Sequence, residues 1–286
     1  MHRCGFDSAI GSFCEHYGAG GKFGTLADWP SPHQYTPAEV VVPPFLPDNA
    51  LVRADLAGQY TAWTRLDAGV GVILREVAAA GAADTTLTIF FSDNGIPFPS
   101  GKTNLLEQGQ HEPLLIARPG TTDGHRSSQV VSSLDLAPTM LQWANVHYPS
   151  HATAGGHPAV LTGSSLLPLI QYPGHRHWRG TAFGSHMFHS LYAYYPARSM
   201  VDARYRLIHN LAYNLKYAIL EDVAETATWQ AIEAAGEADH ATGWVYNYAD
   251  YMHRPEWQLC DIVVDPLCLE NLAANSTFAA TLRSMQ

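Results

Sequence analysis

The stretch Thr86–Ser92, "TLTIFFS", is almost continuously apolar, and Asp93, Asn94 and Gly95 follow it at once. A strand without polar alternation needs cover on both faces, which predicts a central strand of a parallel sheet. The residues before it predict a helix over Ala54–Ala80. Leu56, Tyr60, Trp63, Asp67, Val70, Leu74 and Val77 fall on one stripe in steps of four and three, and Gly81 stands where a C-cap glycine belongs. Helix followed by strand implies an α/β layer architecture. Ligands of such sheets gather beyond the carboxyl ends of the strands, where Asp93 and Asn94 sit. Asp67, within the apolar stripe, asks for a buried partner, and a structural hydrogen bond is a plainer role for it than catalysis.

The rest of the chain divides by texture. Residues 1–50 are loop-like, rich in Gly, Pro and aromatic residues, and need a surface to lie on. "EPLLIARPG" predicts a second short strand. "SSLDLAPTMLQWANV" predicts a helix capped by Ser132 or Ser133, with Leu136, Met140 and Trp143 facing inward. Residues 147–180 read as a connection. After them, "TAFGSH", "ARSMVDARYRLIHNL" and "WQLCDIVVD" predict strands, and "ETATWQAIEAAGEA" a helix. We therefore expect a first domain over 1–175 and a smaller α+β domain with an antiparallel sheet over 176–286.

Composition narrows the function. The chain has 286 residues, and 47% of them are hydrophobic, enough for a substantial core. With 26 acidic against 16 basic residues the formal charge is −10, which argues against nucleic acid as a partner. A local cationic pocket can still accept an anion. No apolar run is long enough for a membrane span. The four cysteines form two local pairs, Cys4 with Cys14 and Cys260 with Cys268. Disulfides in an oxidising compartment and reduced thiols both suit that spacing. Asn275-Ser276-Thr277 is an N-glycosylation sequon.

Chemistry concentrates after the first strand. Asp93 and Asn94 are hard oxygen donors of the kind that Ca²⁺ or Mg²⁺ prefers. Lys102 offers a point charge to a tetrahedral oxyanion, and Pro97 and Pro99 stiffen the loop between. Taken alone, Ser-Asp-Asn-Gly reads first as a common turn.

The longer stretch "TIFFSDNGIPFPSGKTNLLEQGQHEPLLIARPG" resembles the second signature region of the sulfatase family, and "GIPFPSG" directly after "SDN" is similar to its sulfamidase group. "HRCG…FCEHYG", "VRADLAGQYTAWTRLDAGVG", "SSLDLAPTMLQWANVHYPS", "LTGSSLLP", "YRLIHNL", "TGW" and "RPEWQLCD…DP…ENLA" resemble that group in the same order. The resemblance implies part of an alkaline-phosphatase-like α/β/α sandwich followed by the small antiparallel domain. It implies calcium as cofactor with Asp93 and Asn94 as ligands, Lys102 and His2 as catalytic contacts to sulfate, and a Cys4–Cys14 disulfide. Lys102 stands where the sulfamidase group carries arginine; lysine is usual in other sulfatases. Cys260 and Cys268 match no cysteines of that group. His189, in "GSHMFHSLY", lines the substrate pocket or plays a structural part. The implied reaction is hydrolysis of the N-sulfate of a terminal glucosamine in heparan sulfate, a sulfated glycosaminoglycan, in the lysosome. The resemblance also leaves room for a homodimer.

Parts of the family pattern are missing from the sequence. Sulfatases oxidise the cysteine or serine of a Cys/Ser-x-Pro/Ala-x-Arg motif to a formylglycine nucleophile, and none of the four cysteines begins such a motif. The paired aspartates that complete the family's calcium site are absent too. The expectation is a piece of a longer active enzyme, inactive as it stands, with an exposed sheet edge or apolar face. The alternatives are another hydrolase of the superfamily, an O-sulfatase or phosphodiesterase, or a non-catalytic glycan-binding or inert product.

Overall fold

The computed structural model describes residues 33–121, 124–172, 178–189 and 193–286. His2, Cys4 and Cys14 lie outside the described residues. In chain order the helices are α1 (Ala50–Ala79), α2 (Glu107–Gln110), α3 (Leu136–Trp143), α4 (Leu167–Gln171), α5 (Glu221–Ala224), α6 (Ala227–Glu237), α7 (Tyr248–Met252) and α8 (Ala279–Met285). The strands are β1 (Thr88–Phe91), β2 (Leu114–Ala117), β3 (Ala182–His189), β4 (Ala193–Val201), β5 (Tyr205–Asn210) and β6 (Trp257–Asp261).

Helix α1 begins earlier than its stripe indicates because Asn49 caps it, its side chain accepting from the Val52 amide at 3.0 Å. Only its first half is buried. Val52, Leu56 and Ala57 join Val40, Phe45, Leu46 and Phe98 in one apolar cluster, so residues 40–46, the described part just before α1, do lie on a surface. Further along, Trp63, Leu66, Ile73 and Leu74 are exposed. Asp67 is exposed as well, so water solvates its carboxylate and the expected buried partner is not required.

Strand β1 also departs from expectation. It pairs antiparallel with β2, placing Ile89 opposite Ile116 and Phe90 opposite Leu115. One face, with Ile89, Leu114 and Ile116, packs on Leu136, Leu166 and Leu169. The other leaves Phe90 and Leu115 exposed. The apolar run is therefore covered on one side only, and an exposed apolar face is what remains. In α3, Leu136 and Thr139 turn inward, while Met140 and Trp143 face out. Thr139 is held inward by hydrogen bonds of its hydroxyl with the Asp135 carbonyl and the Leu166 amide; a short 3₁₀ turn, Ser133–Asp135, precedes the helix, and Ser132 caps it in a capping box with Asp135.

The C-terminal half matches its reading closely. Strands β3-β4-β5-β6 form one antiparallel sheet in that order. Ala197 faces Asn210 and Arg206 faces Cys260 across the ladders, which fixes what each side presents. On one side, Leu207 and Leu259 pack with Leu272 and Met285. On the other, Ala197, Ile208 and Cys260 pack with Leu105, Leu106 and Cys268. Leu105 and Leu106 belong to the loop that follows β1, so the sheet forms the floor under that loop. Cys260 and Cys268, whose pairing the sequence leaves open, form a disulfide with Cα atoms 5.3 Å apart.

Candidate functional site

The segment from Ser92 to Asn104 turns back on itself. The Ser92 hydroxyl donates to the Asn94 carbonyl at 2.8 Å, and the Asn94 side-chain amide donates to the Gly95 carbonyl at 2.9 Å. The Phe98 and Lys102 amides both donate to the Ile96 carbonyl, at 2.8 and 2.9 Å. Phe98 is fully buried against α1 and anchors the middle of the loop. A Cβ on Gly95 would lie 2.1 Å from the Gln108 carbonyl oxygen. That glycine is therefore required by close approach to α2; its φ is not in the left-handed region.

Asp93 is exposed at the end of β1, with Asn94 half-buried beside it. Glu112 stands near enough for the Asp93 charge to act on it. Burial first, and the Asp93 charge in addition, push the Glu112 carboxyl above its usual range, while a hydrogen bond with Ser92 works against them. Two carboxylates and an amide oxygen are donors suited in kind to a hard cation. In number they fall short. Among the described residues no group of three or more His, Cys, Asp or Glu side chains is arranged to hold a metal, and calcium takes about six to eight oxygens.

Lys102 is mostly buried, its side chain 16% exposed, and its ammonium donates to Asp222 Oδ2 of α5 at 2.6 Å. The two residues are 120 positions apart. Sequence patterning carries no signal for that pairing, because Asp222 lies among ordinary acidic first-turn residues of a short helix. Neighbouring side chains hold the loop from the other side. Tyr251 and Arg254 both donate to Asn104 Oδ1, at 3.2 and 2.7 Å. The Tyr217 hydroxyl meets Thr103 Oγ1 at 3.0 Å and donates to the Thr103 carbonyl at 3.1 Å. In α2, Glu107 accepts from Arg206 of β5 at 2.6 Å and contacts His111. Burial alone would raise the Glu107 carboxyl, but His111 and Arg206 outweigh it and hold the group low.

A small cavity lies between this loop and the sheet, lined by Thr103, His186, Tyr195, Asn210, Tyr217 and Arg254 among others. Burial, with the charges of His189 and Arg254, holds the His186 imidazole below its ordinary range. His189 is exposed at the end of β3, three positions beyond His186.

A family model described as Sulfatase matches residues 24–146, and one described as N-sulphoglucosamine sulphohydrolase, C-terminal, matches 101–232. Human N-sulphoglucosamine sulphohydrolase is 42% identical over 289 aligned residues, covering 100% of this chain and 57% of the human protein. The chain belongs to the sulfatase family. It spans a little over half the length of that human relative. Its fold is the alkaline-phosphatase-like fold of sulfatases. The structure of BT4656 in complex with its substrate D-glucosamine-2-N,6-O-disulfate superposes with a TM-score of 0.55 at 20% identity, covering 82% of this chain and 38% of that one. A phosphonate monoester hydrolase from Silicibacter pomeroyi superposes with a TM-score of 0.54 at 19% identity, covering 81% and 39%. At those identities the likeness is one of fold, and the sulfatase family shares it with phosphonate hydrolysis.

Proposed function

We propose that this chain carries the sulfate-gripping part of an N-sulfoglucosamine sulfohydrolase-like hydrolase, acting on a sulfated glycosaminoglycan such as heparan sulfate. The observation that carries this reading is the 42% identity to human N-sulphoglucosamine sulphohydrolase along the whole chain. In this reading Asp93 and Asn94 hold calcium, Lys102 and His2 contact the sulfate, and His189 borders the substrate. Calcium, when bound, would draw charge from the sulfuryl oxygens. Asn94 spends its amide hydrogen on the Gly95 carbonyl, which leaves its oxygen as the ligating end.

The chain's own residues have a defined task. Lys102 must exchange one anion for another, releasing Asp222 as it takes a sulfate oxygen. That exchange conserves charge pairing, so the ammonium is never left buried without a counter-ion. Sulfamate hydrolysis splits an N–S bond: the oxygen of water joins sulfur, and the amine departs with a proton. The 286 residues contain no Cys/Ser-x-Pro/Ala-x-Arg motif to supply the family nucleophile, so in this reading they bind the sulfuryl group that is transferred and do not themselves turn it over. A lysosomal location and glycosylation of the exposed Asn275 belong to the same reading, and the Cys260–Cys268 disulfide favours an oxidising compartment. We further assign residues 1–175 and 176–286 to the two domains of the sulfatase pattern.

Calorimetric titration of the purified chain with inorganic sulfate, in calcium buffer, tests the reading. Sulfate should bind weakly, and Lys102→Ala should weaken it about tenfold, the equivalent of one charge-assisted hydrogen bond. Glucosamine N-sulfate should displace sulfate better than glucosamine 6-sulfate or a phosphodiester. Indifference to Lys102→Ala, or preference for the phosphodiester, refutes the assignment.

A further inference from the structure

Lys102 sits between two residues in unusual backbone conformations. Ser100 has φ 67° and Thr103 has φ 69°, both in the left-handed region that side chains other than glycine rarely adopt. Such a residue is strained and persists only where its surroundings hold it. Here the same small group of side chains holds both. The Ser100 amide donates to the Tyr251 hydroxyl at 3.2 Å, and that hydroxyl donates to Asn104 Oδ1 at 3.2 Å. Tyr217 grips Thr103 through its hydroxyl and carbonyl oxygens. Arg254, only 7% exposed, donates to Asn104 Oδ1 and to the Tyr251 carbonyl. Its guanidinium carbon lies 3.5 Å from the Tyr217 ring centre and 4.4 Å from that of Tyr251. Tyr217, Tyr251 and Arg254 hold the backbone and side chains on either side of Lys102, while its ammonium donates to Asp222.

We propose that Tyr217, Tyr251 and Arg254 are positioning residues for Lys102, clamping a strained loop so that the ammonium stands ready for a sulfate oxygen. This rests on the reading of Lys102 as the sulfate contact. The clamp belongs to the aromatic cluster of Trp229, Trp244 and Tyr251 in the C-terminal half. The strain of the loop is thus balanced by packing more than a hundred residues further along the chain. A mobile lysine would lose entropy on gripping an anion; a clamped one has lost it already.

The test uses the full chain and inorganic sulfate. Tyr251→Phe removes one hydroxyl and no charge, so it should weaken sulfate binding about fivefold, the equivalent of one neutral hydrogen bond. In a Lys102→Ala background the same substitution should change sulfate affinity no further, although it lowers the melting temperature equally in both. That lack of additivity separates positioning from general destabilisation. Should Tyr251→Phe fail to fold, Arg254→Lys keeps the charge, loses the planar fork and should give the same pattern. If Lys102→Ala weakens binding while the clamp variants do not, the clamp inference falls and the sulfate reading stands. If Lys102→Ala itself has no effect, both fall together. Equal losses with and without Lys102 would make these residues purely structural and overturn the proposal.

Discussion

Glu112 carries its charge at a cost. Burial and the Asp93 carboxylate both raise its pKa above the ordinary 4.5, and its Oε1 has no hydrogen-bond partner among the described residues. A group whose pKa is higher folded than unfolded takes up protons on folding. Its contribution is therefore favourable in acid and is lost as pH rises through the raised value. Glu112→Gln should raise the melting temperature near pH 7 in calcium-free buffer, and the gain should vanish below about pH 4. An unchanged melting temperature near neutrality would contradict this. The residue was silent in the sequence: a glutamate before Pro113 at a strand start reads as solvated. The place of Asp93 and Asn94 just beyond β1 was legible, because a polar pair ending an apolar run marks a strand's carboxyl end. The Asp222 partner of Lys102 was not, since no local pattern links residues 120 positions apart. Asp67 shows the opposite failure, for its place on the stripe assumed a covering layer that the far half of α1 does not have.

At the scale of the element, the loop between β1 and β2 is shaped by what touches its glycines. Added Cβ atoms on Gly95, Gly101 and Gly109 would come within 2.1, 2.3 and 2.3 Å of backbone oxygens. Gly95→Ala should destabilise the chain by about 3 kcal/mol through forced displacement of α2, and denaturant unfolding measures it; a loss within 0.5 kcal/mol, the range of ordinary surface changes, would contradict the contact. Reading Gly95 as a turn former identified the right residue for the wrong reason. Helix α1 and strands β3 to β6 were legible because period and turn chemistry agree there. The disulfide was not. Spacing alone does not reveal that Cys268 adopts φ 58° after a turn in which the Asp265 amide returns to the Asp261 carbonyl.

For the whole molecule, the uncovered face of the β1–β2 pair is the main liability. Phe90 and Leu115 lie opposite each other on it and are 36% and 59% exposed. Apolar patches on short, accessible strands favour self-association. Light scattering of the purified chain should therefore show concentration-dependent particles, and Leu115→Lys should reduce them without lowering the melting temperature. A monodisperse wild-type solution would remove that concern. Cohesion elsewhere is strong. Lys102 reaches Asp222, Asn104 reaches Arg254 and Gln108 reaches Tyr246, all across the exposed connection at 147–158. A protease that nicks that connection would leave two polypeptides visible on a denaturing gel yet eluting from a sizing column as one particle.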